Sequence, residues 1–173
     1  MNRWGVLLLA ACVFGAVACD DDSPAAPSNA PLVFTAAMTA AQEVPAISNA
    51  ESGAAGSATI TITPTRDASN AITGGTVSFA FTVTGLTPTS TITLAHIHTG
   101  AAGVPGGVLV NTGLSPATAI PTPAGSAGFA SAAPVSVDGA TLNSIVANPA
   151  GFYFNVHTAL NPGGVVRGQL RAQ

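Results

Sequence analysis

Val77-Ser78-Phe79-Ala80-Phe81-Thr82-Val83 alternates large apolar residues with small or polar ones without a break. Successive side chains on a strand point to opposite faces, so Val77, Phe79, Phe81 and Val83 form one apolar face and Ser78, Ala80 and Thr82 the other. Thr59-Ile60-Thr61-Ile62-Thr63 repeats the pattern, with Ile facing one way and Thr the other. Working outward, residues 33–41, 91–98, 107–111, 126–131, 151–157 and 165–171 read as further strands. Turn residues separate them at 64–70, at Gly74-Gly75, at 100–106 and at Asn161-Pro162-Gly163-Gly164. Residues 141–148 form the one expected helix, started by Asp138 or Thr141 and stopped by Pro149. The sequence therefore predicts an all-β chain: an antiparallel Greek-key β-sandwich of about seven or eight strands with one short helix.

The N-terminus has the shape of a secretory signal. Met1-Asn2-Arg3 carries one positive charge, and residues 4–18 are apolar or small with no charge. That run is short for a membrane span, which needs roughly 20 apolar residues. Ala16-Val17-Ala18-Cys19 resembles a lipobox and is followed at once by Asp20-Asp21-Asp22. Residues 1–18 are expected to be a signal peptide and Cys19 the lipidated first residue of the mature chain. Leu9-Ala10-Ala11-Cys12 is the better local match to the box, but cutting there would leave a very short apolar region. Cys12 lies in the discarded segment, so the mature chain keeps Cys19 alone and can form no intrachain disulfide. Residues 19–31, polar and with three prolines, read as a flexible tether, and residues 32–173 as one domain. The expected location is the extracytoplasmic cell envelope, attached to a membrane through the lipid.

The mature chain has no Lys, three Arg and seven acids, for a formal charge of −4. Phosphate neutralisation needs clustered cations, so nucleic-acid binding is not expected. Apolar content is too high for a disordered chain.

The histidines carry the chemistry. His96 and His98 are two apart on a strand-like stretch and project from one face. His157 ends Phe152-Tyr153-Phe154-Asn155-Val156-His157, where Tyr153, Asn155 and His157 share the face opposite Phe152, Phe154 and Val156. Such a pair plus a distant third His can supply three nitrogens to copper or zinc. Tyr153 and Asn155 would then be partners that fix a ring tautomer, and Arg167 would attract an anion or order the loop at 161–164, the alternative for it being a hydrogen bond to loop carbonyls. The alternatives are structural: His96 would share its face with Ile92 and Leu94 as a half-buried, hydrogen-bonded residue, or all three histidines would orient loops by bonding backbone carbonyls. No catalytic set stands out, since no serine lies in a nucleophile-elbow context and nothing marks Glu43 and Glu51 as a working pair.

Gln42-Glu43-Val44-Pro45, then Ala95-His96-Ile97-His98-Thr99-Gly100 with Gly103 and Gly106, then Tyr153-Phe154-Asn155-Val156-His157-Thr158, and then residues 161–170 (NPGGVVRGQL) together resemble the CHRD domain. That domain was first described in chordin, a secreted antagonist of bone morphogenetic proteins, and is widespread in bacterial secreted proteins. The resemblance covers essentially all of residues 32–173. Val165-Val166 departs from it, because an acidic residue often precedes the Ile or Val before Arg. The resemblance gives no function.

The order of the His motifs is also similar to that of copper–zinc superoxide dismutase, another β-sandwich. That similarity implies copper ligands at His96, His98 and His157, and places Arg167 near a substrate-guiding arginine. It departs severely, with no further His for a zinc site or a bridging imidazolate. Three functions follow in order: a non-enzymatic envelope module binding a protein or glycan, a copper- or zinc-binding protein, and last an enzyme of dismutase type.

Overall fold

A computed structural model describes residues 28–173. The expected signal peptide, Cys19 and most of the expected tether lie outside the described residues. Within them are eleven strands and one α-helix. The strands are β1 (Leu32–Thr39), β2 (Ala55–Arg66), β3 (Ile72–Thr84), β4 (Thr91–Thr99), β5 (Val108–Asn111), β6 (Ile120–Pro121), β7 (Ala127–Ala130), β8 (Val135–Asp138), β9 (Phe152–Thr158), β10 (Val166–Gln169) and β11 (Arg171–Ala172). The helix α1 spans Gly139–Ala147, between β8 and β9.

All pairings are antiparallel, and the main path runs β5-β4-β9-β10-β1-β2-β3-β7. The late strand β10 lies beside β1, which is followed by β2 and β3, the spatial order of a Greek key with a long return. From β9 to β3 is four steps along this path, about 19 Å if the sheet were flat. Yet the Phe154 ring of β9 lies 5.9 Å from Phe79 and 5.7 Å from Phe81 of β3. The sheet therefore folds over on itself, and its two halves close on one core as in a sandwich.

The core is the apolar face read from the sequence. Val77, Phe79, Phe81 and Val83 are buried, as are Ile60 and Ile62, while Thr59, Ala80 and Thr82 are exposed. Burying such side chains contributes roughly 1.5–3 kcal/mol each. Asp138 caps α1, accepting hydrogen bonds from the Thr141 amide at 2.9 Å and the Thr141 hydroxyl at 2.7 Å. Leu142 and Ile145 are its buried residues.

Each of the eight stretches expected as strands overlaps an observed one. Short β6, β8 and β11 add to the expected seven or eight. The turn expected at 64–70 is confined to Asp67–Ala71, because Pro64 is inside β2, and Gly74-Gly75, expected as a turn, is inside β3. Both exceptions have a physical cause. Leu32 at the start of β1 pairs with Ile62, so Pro64 lies where β2 has lost its β1 neighbour and a missing N–H is tolerated. A Cβ on Gly75 would fall 3.0 Å from Leu142 Cδ1 and 2.5 Å from the Thr63 carbonyl, so that glycine admits the helix onto the sheet.

Candidate metal centre

His96 and His98 lie on β4, and His157 on its neighbour β9. The register sets His96 opposite Asn155, His98 opposite Tyr153 and His157 opposite Leu94. A register shift between Ile92 and Leu94 changes the parity of β4. Ile92, Ala95 and Ile97 consequently all face the core, while His96 and His98 face away from it. The expected sharing of a face by His96 and Ile92 is thus corrected: the bulge separates them.

The three imidazoles converge. Ring centroids are 5.5 Å apart for His96 and His98, 5.1 Å for His96 and His157, and 5.9 Å for His98 and His157. One ligand nitrogen from each lies within 4.8 Å of the others. All three side chains are buried, although they are on the face opposite the apolar core. Loops cover them, and those loops supply the ring partners.

Backbone carbonyls fix two tautomers. His98 Nδ1 lies 3.0 Å from the Gly106 carbonyl, and His157 Nδ1 lies 2.9 Å from the Pro162 carbonyl. A carbonyl only accepts, so each Nδ1 carries the proton and each Nε2 a lone pair. His96 Nδ1 is 3.2 Å from His157 Nε2. With His157 Nε2 unprotonated, His96 Nδ1 is the donor in that contact, and were a metal ion to take that nitrogen, the proton would pass to Nε2 of the same ring. Two nitrogens bound to one ion in a tetrahedral site lie about 3.3 Å apart for bonds of 2.0–2.1 Å, so this pair is already at ligand separation. His98 Nε2 is buried and has no hydrogen-bond partner among the described residues.

Electrostatics keep the rings neutral. Burial lowers the pKa of His96 to about 4, helped by His157 and His98. Burial also lowers His98 and His157, outweighing the carbonyl bonds to Gly106 and Pro162 that act the other way. Neutral imidazole is the form that ligates metals.

The surrounding residues divide differently from expectation. Tyr153 stacks on His98, with centroids 4.9 Å apart and planes at 10°. Its hydroxyl accepts a hydrogen bond from the Gly106 amide at 3.2 Å, so it steadies the loop that holds His98. Asn155 shares the face but its amide goes elsewhere, donating to Glu43 Oε1 at 2.7 Å and the Val166 carbonyl at 3.4 Å. Carbonyls, rather than Tyr153 or Asn155, orient the rings. Arg167 is buried, with Cζ 3.6 Å from the Tyr153 ring centroid. Its Nη2 donates to the carbonyls of Ala101 and Val104 at 3.2 and 3.1 Å. Arg167 therefore orders the loop at 100–107 rather than the turn at 161–164.

Sequence reasoning missed the two glutamates. Burial pushes Glu43 up to about 7, against the Asn155 hydrogen bond and the Arg167 charge. Glu51 has no exposed surface. Burial would raise its carboxyl, but hydrogen bonds from Thr158, Asn161 and Thr87 outweigh that and hold it low. Their rarity in the chain was the available signal, since Glu is seldom buried without a task.

No curated protein and no solved structure matches the chain. The family model of the CHRD domain matches residues 34–170, which takes in most of β1, every strand from β2 to β10 and all three histidines, and the chain belongs to the CHRD domain family.

Proposed function

We propose that this CHRD domain is a metal-binding module of the cell envelope, in which His96, His98 and His157 hold one copper or zinc ion through three neutral nitrogens and leave a coordination position open. The observation that carries this reading is His98 Nε2, a buried lone pair without a partner in a cluster whose ligand atoms lie within 4.8 Å. Leaving such a group unsatisfied costs about 1–3 kcal/mol, and a shared ion removes the cost. A purely structural role accounts for the bonds to Gly106 and Pro162 but not for this nitrogen. Imidazole suits both metals, and the Irving–Williams order makes Cu(II) the tighter. Dismutase-type chemistry keeps the last place, because the chain has no fourth His. The test is titration of the chain lacking residues 1–18 with Cu(II) and with Zn(II), beside His98→Ala. One ion per wild-type chain, weakened at least about 100-fold in the variant, is expected; equal stoichiometry and affinity would refute the site.

The same proposal includes the anchor. Lipidation at Cys19 rests on the AVAC sequence, the apolar run before it and the three aspartates after it. A fatty-acid probe should label wild type and Cys12→Ala but not Cys19→Ala; labelling of Cys19→Ala would move the anchor elsewhere.

A second reading, a surface that binds an envelope protein, has one observation in its favour. Val44, Val104, Val108 and Leu160 are exposed. They lie on or next to the loops that cover the histidines. Photo-crosslinkers at Val104 and Leu160 in intact cells should give a discrete adduct absent from a probe at Thr82; identical patterns would remove this reading.

A further inference from the structure

We propose that Glu51 is a positioning residue for His157, acting through the turn that follows β9; the proposal rests on the reading of the three histidines as a metal centre. His157 keeps its Nε2 lone pair available because Nδ1 is engaged by the Pro162 carbonyl at 2.9 Å. That carbonyl belongs to a turn of Asn, Pro and two glycines, a composition with little stiffness of its own. Glu51 supplies what the turn lacks. Its Oε2 accepts from Thr158 Oγ1 and from Asn161 Nδ2, each at 2.7 Å. Thr158 Oγ1 in turn accepts from the Asn161 amide at 3.0 Å, so the carboxylate grips the residues on both sides of the bend. Asn49 adds a contact to Asn161 Oδ1 at 2.7 Å and holds the Glu51 amide at 3.0 Å. The other oxygen, Oε1, accepts from the Thr87 amide and hydroxyl, both at 3.3 Å. Pro162 directly follows Asn161, so the carbonyl that sets the His157 tautomer is carried by the residue next to the one Glu51 holds.

Geometry excludes a simpler role. Glu51 has no exposed surface and no cationic partner among these contacts, and every group it meets is a neutral donor. A carboxylate buried against donors alone is costly unless those donors are fixed. Four fixed donors from the chain before β4 and the turn after β9 make it a rigid tie across segments more than one hundred residues apart. Outer partners of metal ligands matter in this way: their loss typically weakens metal binding about 10- to 100-fold.

Glu51→Gln keeps the size and one acceptor oxygen but brings an amide N–H against donors. Two readouts test it. Long-range proton–nitrogen correlation of the metal-free protein reports each imidazole tautomer without reference to any metal. In wild type His98 and His157 should each appear as the Nδ1–H form. In Glu51→Gln, His157 should become a mixture of tautomers, with His96 following through the contact they share, while His98 is unchanged. Cu(II) affinity should fall about 10-fold. Ile60→Val, a core change remote from the turn, should lower the melting temperature without altering either readout. If Glu51→Gln leaves the His157 tautomer unmixed, or disturbs His98 equally, Glu51 does not position His157. If wild type binds no copper or zinc, the metal reading fails, while the tautomer measurement still decides the role of Glu51. Should Glu51→Gln fail to fold, Asn161→Ala, which cuts the same link at its other end, is expected to mix the His157 tautomer; a fixed tautomer there overturns the proposal.

Discussion

The two halves of the folded-over sheet use the same strand alternation to opposite ends. On β2 and β3 the inward face is apolar and the outward face, with Thr59, Ala80 and Thr82, is open to solvent. On β4 and β9 the inward face is equally apolar, with Ile97, Phe154 and Val156, but the outward face is buried too. It carries His96, His98, Tyr153, Asn155 and His157 under two loops. Burying a polar face is unfavourable unless each group finds a partner. The second half meets most of that requirement with backbone carbonyls, Arg167 and two glutamates, and among the described residues leaves His98 Nε2 and Asn155 Oδ1 over. A regular half stabilises the fold, and an irregular half, held by specific bonds, presents chemistry.

The comparison breaks first at its hinge. Phe154 packs on Phe79 and Phe81 and so joins the halves. Phe154→Ala should lose about 3–5 kcal/mol in urea unfolding. Thr82→Ala, on the open face of the regular half, should stay within about 0.5 kcal/mol. Comparable losses for the two would mean that the faces are not distinct in energy.

Arg167→Met probes the irregular half alone. It keeps much of the apolar stem but removes the bonds to Ala101 and Val104 and the contact with Tyr153. A loss of about 2–3 kcal/mol is expected, the scale of a hydrogen-bonded charge. Amide exchange should quicken at Gly106, which donates to Tyr153, and not in β2. Uniform quickening across the sheet would show that the loop at 100–107 is not a separate unit.

The regular half was the legible one. Period two in residues 59–63 and 77–83 placed their faces, because only hydrophobic burial acts there. Where a second constraint acts, the pattern misled. Gly74-Gly75 looked like a turn and is a landing site for Leu142; Ile92 looked like a neighbour of His96 until the bulge intervened. The spacing of His96 and His98 and the ending of β9 at His157 and Thr158 were enough to bring three rings to one face. The carbonyl partners of those rings were not legible, since any residue supplies a carbonyl. Glu51 was invisible because its partners are distant in the chain, Thr87 by 36 residues and Thr158 and Asn161 by more than one hundred. Helix α1 was legible at its start: Asp138→Ala should cost about 1 kcal/mol, read by thermal unfolding, and no loss would show that the cap contributes nothing.

The smallest effect sharpens the comparison within the irregular half, where the two glutamates shift in opposite directions. Glu43 has its folded pKa raised to about 7 from 4.5. Between those values the folded protein holds a proton that the unfolded chain has released. Its contribution to stability is therefore full below pH 4.5 and is lost as pH rises through 7. Glu51 is lowered, so its contribution is present above the unfolded value and is lost as pH falls. Gln ionises at neither position. Glu43→Gln should gain on wild type as pH rises from 5 to 8, by less than about 1 kcal/mol once solvent screening of its part-exposed carboxyl is allowed for. Glu51→Gln should stay at a nearly constant distance behind wild type over that rise, because the Glu51 carboxyl is ionised in both states there, and should close the gap only as pH falls through about 4.5. Urea unfolding at about pH 3.5, 5, 6.5 and 8 measures both. Parallel slopes for the two variants would mean that one environment serves both carboxyls, and that a poorly solvated Glu43 and a fully bonded Glu51 are not the distinct devices their partners indicate.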